Sequence, residues 1–296
     1  MTFRTELEQI ATDVEQRLDA LFAAGESAGT PQPLTQAMRY AVLGGGKRLR
    51  PYLLIQSAKL FGVEERRALD AACALECVHC YSLVHDDLPA MDDDPVRRGR
   101  PTIHIAFDEA TAILVGDSLL TLAFEIMSGE GVDPDPTIRV ELVSLLARAA
   151  GWHGMALGQA LDLDAERNDL KAEQVAAMQA LKTGALFGFA CEAGAVLGRA
   201  DASKRAALKD YASALGQAFQ LADDLLDAEG SAEAVGKAVA KDADRGKATL
   251  VGLLGMDAAK ARLAALVAEA EAALAPFGAK ANTLVATAQF AVSRKR

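Results

Sequence analysis

Two short runs of aspartate stand out for the chemistry they could do. The first is His85-Asp86-Asp87-Leu88-Pro89-Ala90-Met91-Asp92-Asp93-Asp94, with five carboxylates in nine residues. The second is Asp223-Asp224-Leu225-Leu226-Asp227. On a helix, Asp223 and Asp227 lie one turn apart and share a face. Two unit charges about 4–5 Å apart repel by roughly 3–4 kcal/mol at an effective dielectric of about 20. Such repulsion raises carboxylate pKa values unless a cation offsets it. Leu83, Val84, Leu88 and Met91 flank the first run, and Phe219, Leu221, Leu225 and Leu226 the second, which argues against a plain solvated acidic face. Oxygen-only donors suit a hard cation, and magnesium, which keeps waters and shares phosphate oxygens, is the expected one. The alternating ligands, central Gly and terminal Glu of an EF-hand are missing.

Cations accompany the acids. Gly44-Gly45-Gly46-Lys47-Arg48-Leu49-Arg50-Pro51 joins three glycines to three basic residues ahead of a helix. Exposed backbone N–H groups and a helix N-terminus favour an anion there, such as a diphosphate. The spacing is not that of a Walker A loop. Arg97-Arg98-Gly99-Arg100 follows the first acidic run, and guanidinium forks grip phosphate oxygens in pairs. Lys182-Thr183-Gly184 lies in an apolar helical stretch, where a charge is costly unless paired. Lys237 and Lys247 fall in the polar break after the second acidic run. At 100° per residue, Cys73, Cys77 and Cys80 form one stripe, while His79 falls off it and nearly in line with Asp86. The cysteines therefore read as core residues, not zinc ligands.

These groups must be held by helices. Helical periodicity runs through nearly the whole chain and strand signals are almost absent. Helices are expected near 3–24, 34–43, 50–61, 65–88, 109–127, 137–158, 172–197, 202–228 and 257–275, separated by Gly, Pro and Asp breaks. No linker, low-complexity tract or internal repeat divides the chain. One all-α domain of about ten helices around a central space is expected.

Composition removes some partners. With a formal charge of -10 over 296 residues, the protein lacks the basic surface that non-specific nucleic-acid binding draws on. Residues 1–18 are too charged for a signal peptide. The most apolar segment, 111–127, carries Asp117 and Glu125, so no membrane span is expected. Four cysteines fit a reducing compartment, and a cytoplasmic location is expected.

Taken in order, the motifs resemble those of the trans-isoprenyl diphosphate synthases, most closely the bacterial farnesyl diphosphate synthases. They are Gly45-Gly46-Lys47-Arg48-Leu49-Arg50-Pro51, Tyr81 through Asp92, Arg97-Arg98-Gly99, Lys182-Thr183-Gly184, Gly216 through Asp227, and Gly246-Lys247-Ala248-Thr249. The resemblance spans nearly the whole chain. It implies an all-α isoprenoid-synthase bundle around a deep cavity, a single polyprenyl synthetase domain over 1–296, and a homodimer. It implies about three magnesium ions on the allylic diphosphate, held by Asp86, Asp92 and Asp223, with Asp87 and Asp227 in support. Arg97, Lys182, Thr183, Gln220 and Lys237 would complete that site, and Lys47, Arg50, His79 and Arg98 would hold isopentenyl diphosphate. Lys182 and Thr183 would also steady the allylic cation as catalytic groups. Tyr81, with Ser82 beside it, would plug the cavity at a C15 product. The helical wheel by itself puts Ser82, not Tyr81, in line with Asp86.

The expected activity is head-to-tail condensation of isopentenyl diphosphate with dimethylallyl or geranyl diphosphate. The product would be farnesyl diphosphate, with C10 or C20 products as the alternative. Ala248 stands where the family often has Ser, which weakens Lys247 as a site residue. An HD-type metal phosphohydrolase, suggested by His85-Asp86, would need an earlier histidine, and His79 is too close. A terpene cyclase would commonly lack the Gly-Gly-Lys-Arg-Leu-Arg-Pro segment, and a non-catalytic partner subunit would tend to lose an acidic run.

Overall fold

The structure, a computed structural model, describes residues 2–27, 32–165, 168, 170–233 and 249–293. The described residues are helical apart from turns and one two-stranded hairpin. Two compact units are distinguished: Met1–Leu146 with Val196–Arg199, and Ala147–Ala195 with Ala200–Arg296.

In the first unit, α1 (Phe3–Ser27) buries the stripe Leu7, Ile10, Val14, Leu18 and Phe22, whose three- and four-residue spacing is that of one helix face. α2 (Gln32–Val42) leads into the triple-glycine loop, and α3 (Leu49–Lys59) leaves it. α4 (Glu65–Asp86) is rich in Ala and Cys and buried on more than one face, from Ala71 to Val78. Small side chains let α3 and α6 (Glu109–Ser128) pack closely on it. Asp108 starts α6 by accepting the N–H of Thr111 at 2.7 Å. Between α4 and α6 lie β1 (Val96–Arg97), β2 (Arg100–Pro101), paired antiparallel, and the short α5 (Ile103–Ala106). α7 is Pro136–Ala150.

The second unit contains α8 (Met155–Ala165), α9 (Ala172–Gln179), a π-helical turn (Ala180–Gly184) and most of α10 (Ala185–Leu197). α11 (Ala202–Glu233) is the long helix that carries the second acidic run. α12 (Leu250–Leu254), α13 (Met256–Ala273), a 3₁₀ stretch (Ala275–Ala281) and α14 (Asn282–Ser293) follow. Ala218, Leu221, Ala222 and Leu225 of α11 pack with Val251, Ala259, Leu263 and Leu266 to form the core under that run.

Two expectations need correction. The single helix expected over 137–158 is two, α7 and α8. A Cβ on Gly154 would lie 2.1 Å from the carbonyl oxygen of Ala149, so the chain turns where only glycine fits. The stretch 172–197 is interrupted by the π turn. Beyond the last expected helix, residues 282–293 form α14, with Leu284, Ala288 and Ala291 buried at helical spacing. The hydroxyl of buried Tyr211 donates to the carbonyl of Leu284 at 2.8 Å and ties α14 to α11.

Candidate active site

The first acidic run begins where α4 ends. Asp86 is the last residue of that helix, and the N–H of Asp92 donates to its carbonyl at 2.8 Å. The N–H of Asp94 returns to Asp87 in the same way at 3.2 Å. The turn thus stacks Asp92 back against Asp86. Asp87 points inward, only 4 % exposed, and takes the Nε–H of Arg97 at 2.7 Å. Burial lifts its pKa above the ordinary carboxylate value, against the pull of Arg97. Burial alone would lower the Arg97 pKa, but Asp87, Asp86 and Asp94 more than offset it.

A basic corner lies in the same unit. His79 Nε2 sits 3.4 Å from a guanidinium nitrogen of Arg50. Burial first, then Arg50, Arg98, Arg48 and Arg97, holds the His79 pKa well below the usual imidazole value, so His79 is neutral and can accept. Arg98, at φ 53°, donates to the carbonyl of Gly45. A Cβ on Gly46 would lie 2.7 Å from the Arg98 guanidinium carbon, so the glycine makes room for that cation. A small cleft of about 50 Å³ is lined by Tyr40, Gly44, Leu83, Asp87, Arg97 and Arg98, among others. Lys47 is exposed.

Arg48 departs from the expectation of three loop cations facing one anion. It is 3 % exposed and turned into the protein, where it meets Glu76 at 2.5 Å, Glu15 at 2.8 Å and the carbonyl of Val42 at 2.5 Å. Glu76 is itself 1 % exposed. Arg48 anchors the loop, which leaves Lys47 and Arg50 to act outward. Nothing in the order Lys-Arg-Leu-Arg reveals which cation turns inward. The left-handed backbone of Arg48 (φ 47°) just before α3 decides it.

Tyr81 and Ser82 lie on α4, one to two turns before Asp86. The Tyr81 ring meets that of His85 edge-on at 5.9 Å. His85 Nε2 lies 3.0 Å from the carbonyl oxygen of Ile113, and a Cβ on Gly116 would lie 1.9 Å from that nitrogen. Gly116 therefore admits the ring that flanks Tyr81. Ser82 donates to the carbonyl of His79 at 2.8 Å. Cys73, Cys77 and Cys80 are buried free thiols, and burial pushes Cys80 up to about 12.

In the second unit Lys182 and Thr183 occupy the π turn, a feature often found at functional sites. Lys182 donates to buried Asp162 of α8 at 2.7 Å. A Cβ on Gly158 would lie 2.1 Å from the Lys182 backbone nitrogen, so α8 packs directly on the turn. Thr183 Oγ1 lies 3.1 Å from Gln220 Oε1, and Gln220 Nε2 lies 3.0 Å from Asp224. Gln179 reaches Asp224 from α9 at 3.1 Å. Asp223 is half-buried and Asp227 exposed. Lys237 and Lys247 lie outside the described residues. Asp162 and Gln179 lie outside the expected site residues, and Asp224, part of the second acidic run, is not among the expected ligands. The one signal for Asp162 was the need of a lysine in an apolar helix for an acid.

Among the described residues, no three His, Cys, Asp or Glu side chains gather closely enough to hold a metal ion unaided. Asp86 and Asp92, at the end of α4 and in the turn after it, are oxygen donors of the kind magnesium takes one or two at a time before completing its shell with water and phosphate.

An all-helical chain that sets carboxylates beside guanidinium clusters is equipped to bind diphosphates. The polyprenyl synthetase family profile matches residues 31–276, and the chain belongs to that family. It is 43% identical to the farnesyl diphosphate synthase of Haemophilus influenzae, over 99% of each chain. It is 40% identical to that of Escherichia coli K12, over 100% of each. A crystal structure of an FPP/GFPP synthase from Zymomonas mobilis matches with a TM-score of 0.87 at 46% identity, covering 98% of this chain and 99% of that one. The fold is the all-α isoprenoid-synthase fold.

Proposed function

We propose that this chain is a farnesyl diphosphate synthase, which condenses isopentenyl diphosphate with dimethylallyl and then geranyl diphosphate and releases diphosphate. The full-length 43% identity to a farnesyl diphosphate synthase carries this reading. The basic corner of Arg50, His79 and Arg98 supports it, since a second diphosphate needs its own site.

Asp86, Asp92 and Asp223 would hold about three magnesium ions, which when bound would supply positive charge at the diphosphate. Arg97 and Lys182, with Gln220 and Lys237, hold the allylic diphosphate and favour loss of the leaving group, and Thr183 lines that site. Lys47, Arg50, His79 and Arg98 orient isopentenyl diphosphate so that its double bond meets the allylic carbon. Lys182 and Thr183 stand at the π turn as the groups nearest the developing cation. No side-chain nucleophile is required.

Tyr81 lies five residues before Asp86, about 7.5 Å back along the helix axis, and limits the product to C15 with Ser82 beside it. Tyr81→Ala is expected to lengthen the product, read by chromatography of the hydrolysed prenols. An unchanged chain length would remove Tyr81 from this role.

Residues 1–296 act as one catalytic domain, and the protein works as a cytoplasmic homodimer. α6 supports the dimer: its most apolar window is only 33% buried, and Ile113 and Leu114 are exposed. By length and composition α6 and the stretch 172–197 could each cross a membrane, but the latter is 56% buried in protein. The four free, buried cysteines suit a reducing compartment.

The deciding experiment is incubation of the protein with isopentenyl diphosphate, labelled dimethylallyl diphosphate and magnesium. A C15 product is expected, and absence of elongation would refute the proposal.

A further inference from the structure

Asp224 sits beside Asp223 in sequence but is held by the protein on both of its oxygens. Oδ1 accepts from the amide of Gln220 at 3.0 Å and Oδ2 from the amide of Gln179 at 3.1 Å. The backbone N–H of Leu250, at the start of α12, also favours the charged form of this carboxylate. Three segments, α9, α11 and α12, thus bear on one side chain.

The polarity of the chain of bonds follows from Asp224, both of whose oxygens accept from side-chain amides. Gln220 must turn its NH₂ group toward it, which leaves the amide oxygen facing Thr183. The Thr183 hydroxyl must then donate to Gln220, at 3.1 Å. Its single proton is committed there, and Thr183 Oγ1 offers only lone pairs to whatever approaches the π turn. A hydroxyl that could rotate would present a proton to a diphosphate instead.

We infer that Asp224 is a positioning residue and not a metal ligand: acting through Gln220, it fixes the direction of the Thr183 hydroxyl, with Gln179 as its brace. This rests on the functional reading above, in which Thr183 adjoins the allylic substrate. A metal ligand and a positioning residue fail differently. Loss of a ligand shows as a higher magnesium requirement. Loss of positioning shows as slow turnover however much magnesium is supplied.

The test uses the full chain with geranyl diphosphate, isopentenyl diphosphate and a magnesium titration. Asp224→Asn is nearly isosteric but sets an NH₂ group against one of two amide donors, so Gln220 or Gln179 must flip. The expected result is a kcat about 100-fold lower at saturating magnesium. The half-saturating magnesium concentration and the KM for isopentenyl diphosphate should stay at wild-type values. Adding Gln220→Glu to Asp224→Asn restores a donor at 224 and an acceptor facing Thr183, and part of the lost kcat should return. If Asp224→Asn does not fold, Gln179→Met carries the test, with a kcat loss of about threefold to tenfold and no change in magnesium dependence.

The inference is overturned if Asp224→Asn keeps wild-type kcat, if extra magnesium restores it, or if Gln220→Glu recovers nothing. A wild-type chain that condenses no diphosphates would bring down the functional reading and this inference with it. A wild type that condenses them beside an unimpaired Asp224→Asn variant would sink the inference alone.

Discussion

The two acidic runs are similar in sequence and differ in how the backbone presents them. Asp86 and Asp92 are matched by a turn that folds the chain back on the end of α4. Asp223 and Asp227 are matched by one turn of α11, with no loop involved. In both runs the second aspartate is withdrawn. Asp87 pairs with Arg97, and Asp224 is held by Gln179 and Gln220. Burial raises the pKa of each above the ordinary carboxylate value. Among the described residues, a cation lies directly against Asp87 but not against Asp224. A run of aspartates is therefore not a uniform ligand set, because the residue one step along a helix faces about 100° away and meets different neighbours.

The comparison can be broken first at the proposed ligands. Asp86→Ala and Asp223→Ala should each lower kcat/KM by about 10³-fold. If either lost less than about tenfold, the two runs would not share the diphosphate. The next effect is on folding. Asp87→Ala strips Arg97 of its closest acid and should cost about 2–3 kcal/mol in urea unfolding, whereas Asp223→Ala should leave the midpoint nearly in place. Equal losses would mean that both aspartates are structural. A smaller effect is expected at the lysine of the π turn. Asp162→Asn should raise the KM for the allylic diphosphate about tenfold, because Lys182 loses its charged partner, and an unchanged KM would reduce Asp162 to a packing role.

The smallest effect concerns the first unit and pH. His79 is held neutral when folded, with its pKa below the unfolded value of about 6.5. Below that pH the unfolded chain binds the extra proton, so stability is lost as pH falls. Between about pH 6.5 and 5.5 the wild type should lose up to about 1 kcal/mol more than His79→Gln. Parallel curves would show that His79 is protonated in the fold.

The helical class and most helix positions were legible because apolar spacing and Gly, Pro and Asp breaks act locally. The motifs pointed to diphosphate chemistry for the same reason: Asp, Arg and Lys in short runs declare themselves. What was hidden depends on tertiary partners. Arg48 reads like Lys47 and Arg50 until Glu15 and Glu76, from two other helices, claim it. Gln179 is an ordinary polar residue until α9 places it on Asp224. The split of 137–158 turned on Gly151 and Gly154, which periodicity alone passes over. α14 is not among the expected helices because its buried positions, Leu284, Ala288 and Ala291, are few and mostly small and follow closely on the break at Pro276 and Gly278.

The π turn at Ala180–Gly184 has one more consequence. Such a turn carries a surplus residue relative to the helix on either side and absorbs it by widening, so the flanking segments keep nearly the orientation of an unbroken helix. Removing one residue from it would restore a regular α-helical path and leave Leu186, Phe187 and Phe189 buried as they are. What would be lost is the widened coil at Lys182 and Thr183, which Gly158 and Gly216 admit at short range. The irregularity thus sets apart the backbone of a few residues without disturbing the packing of α10.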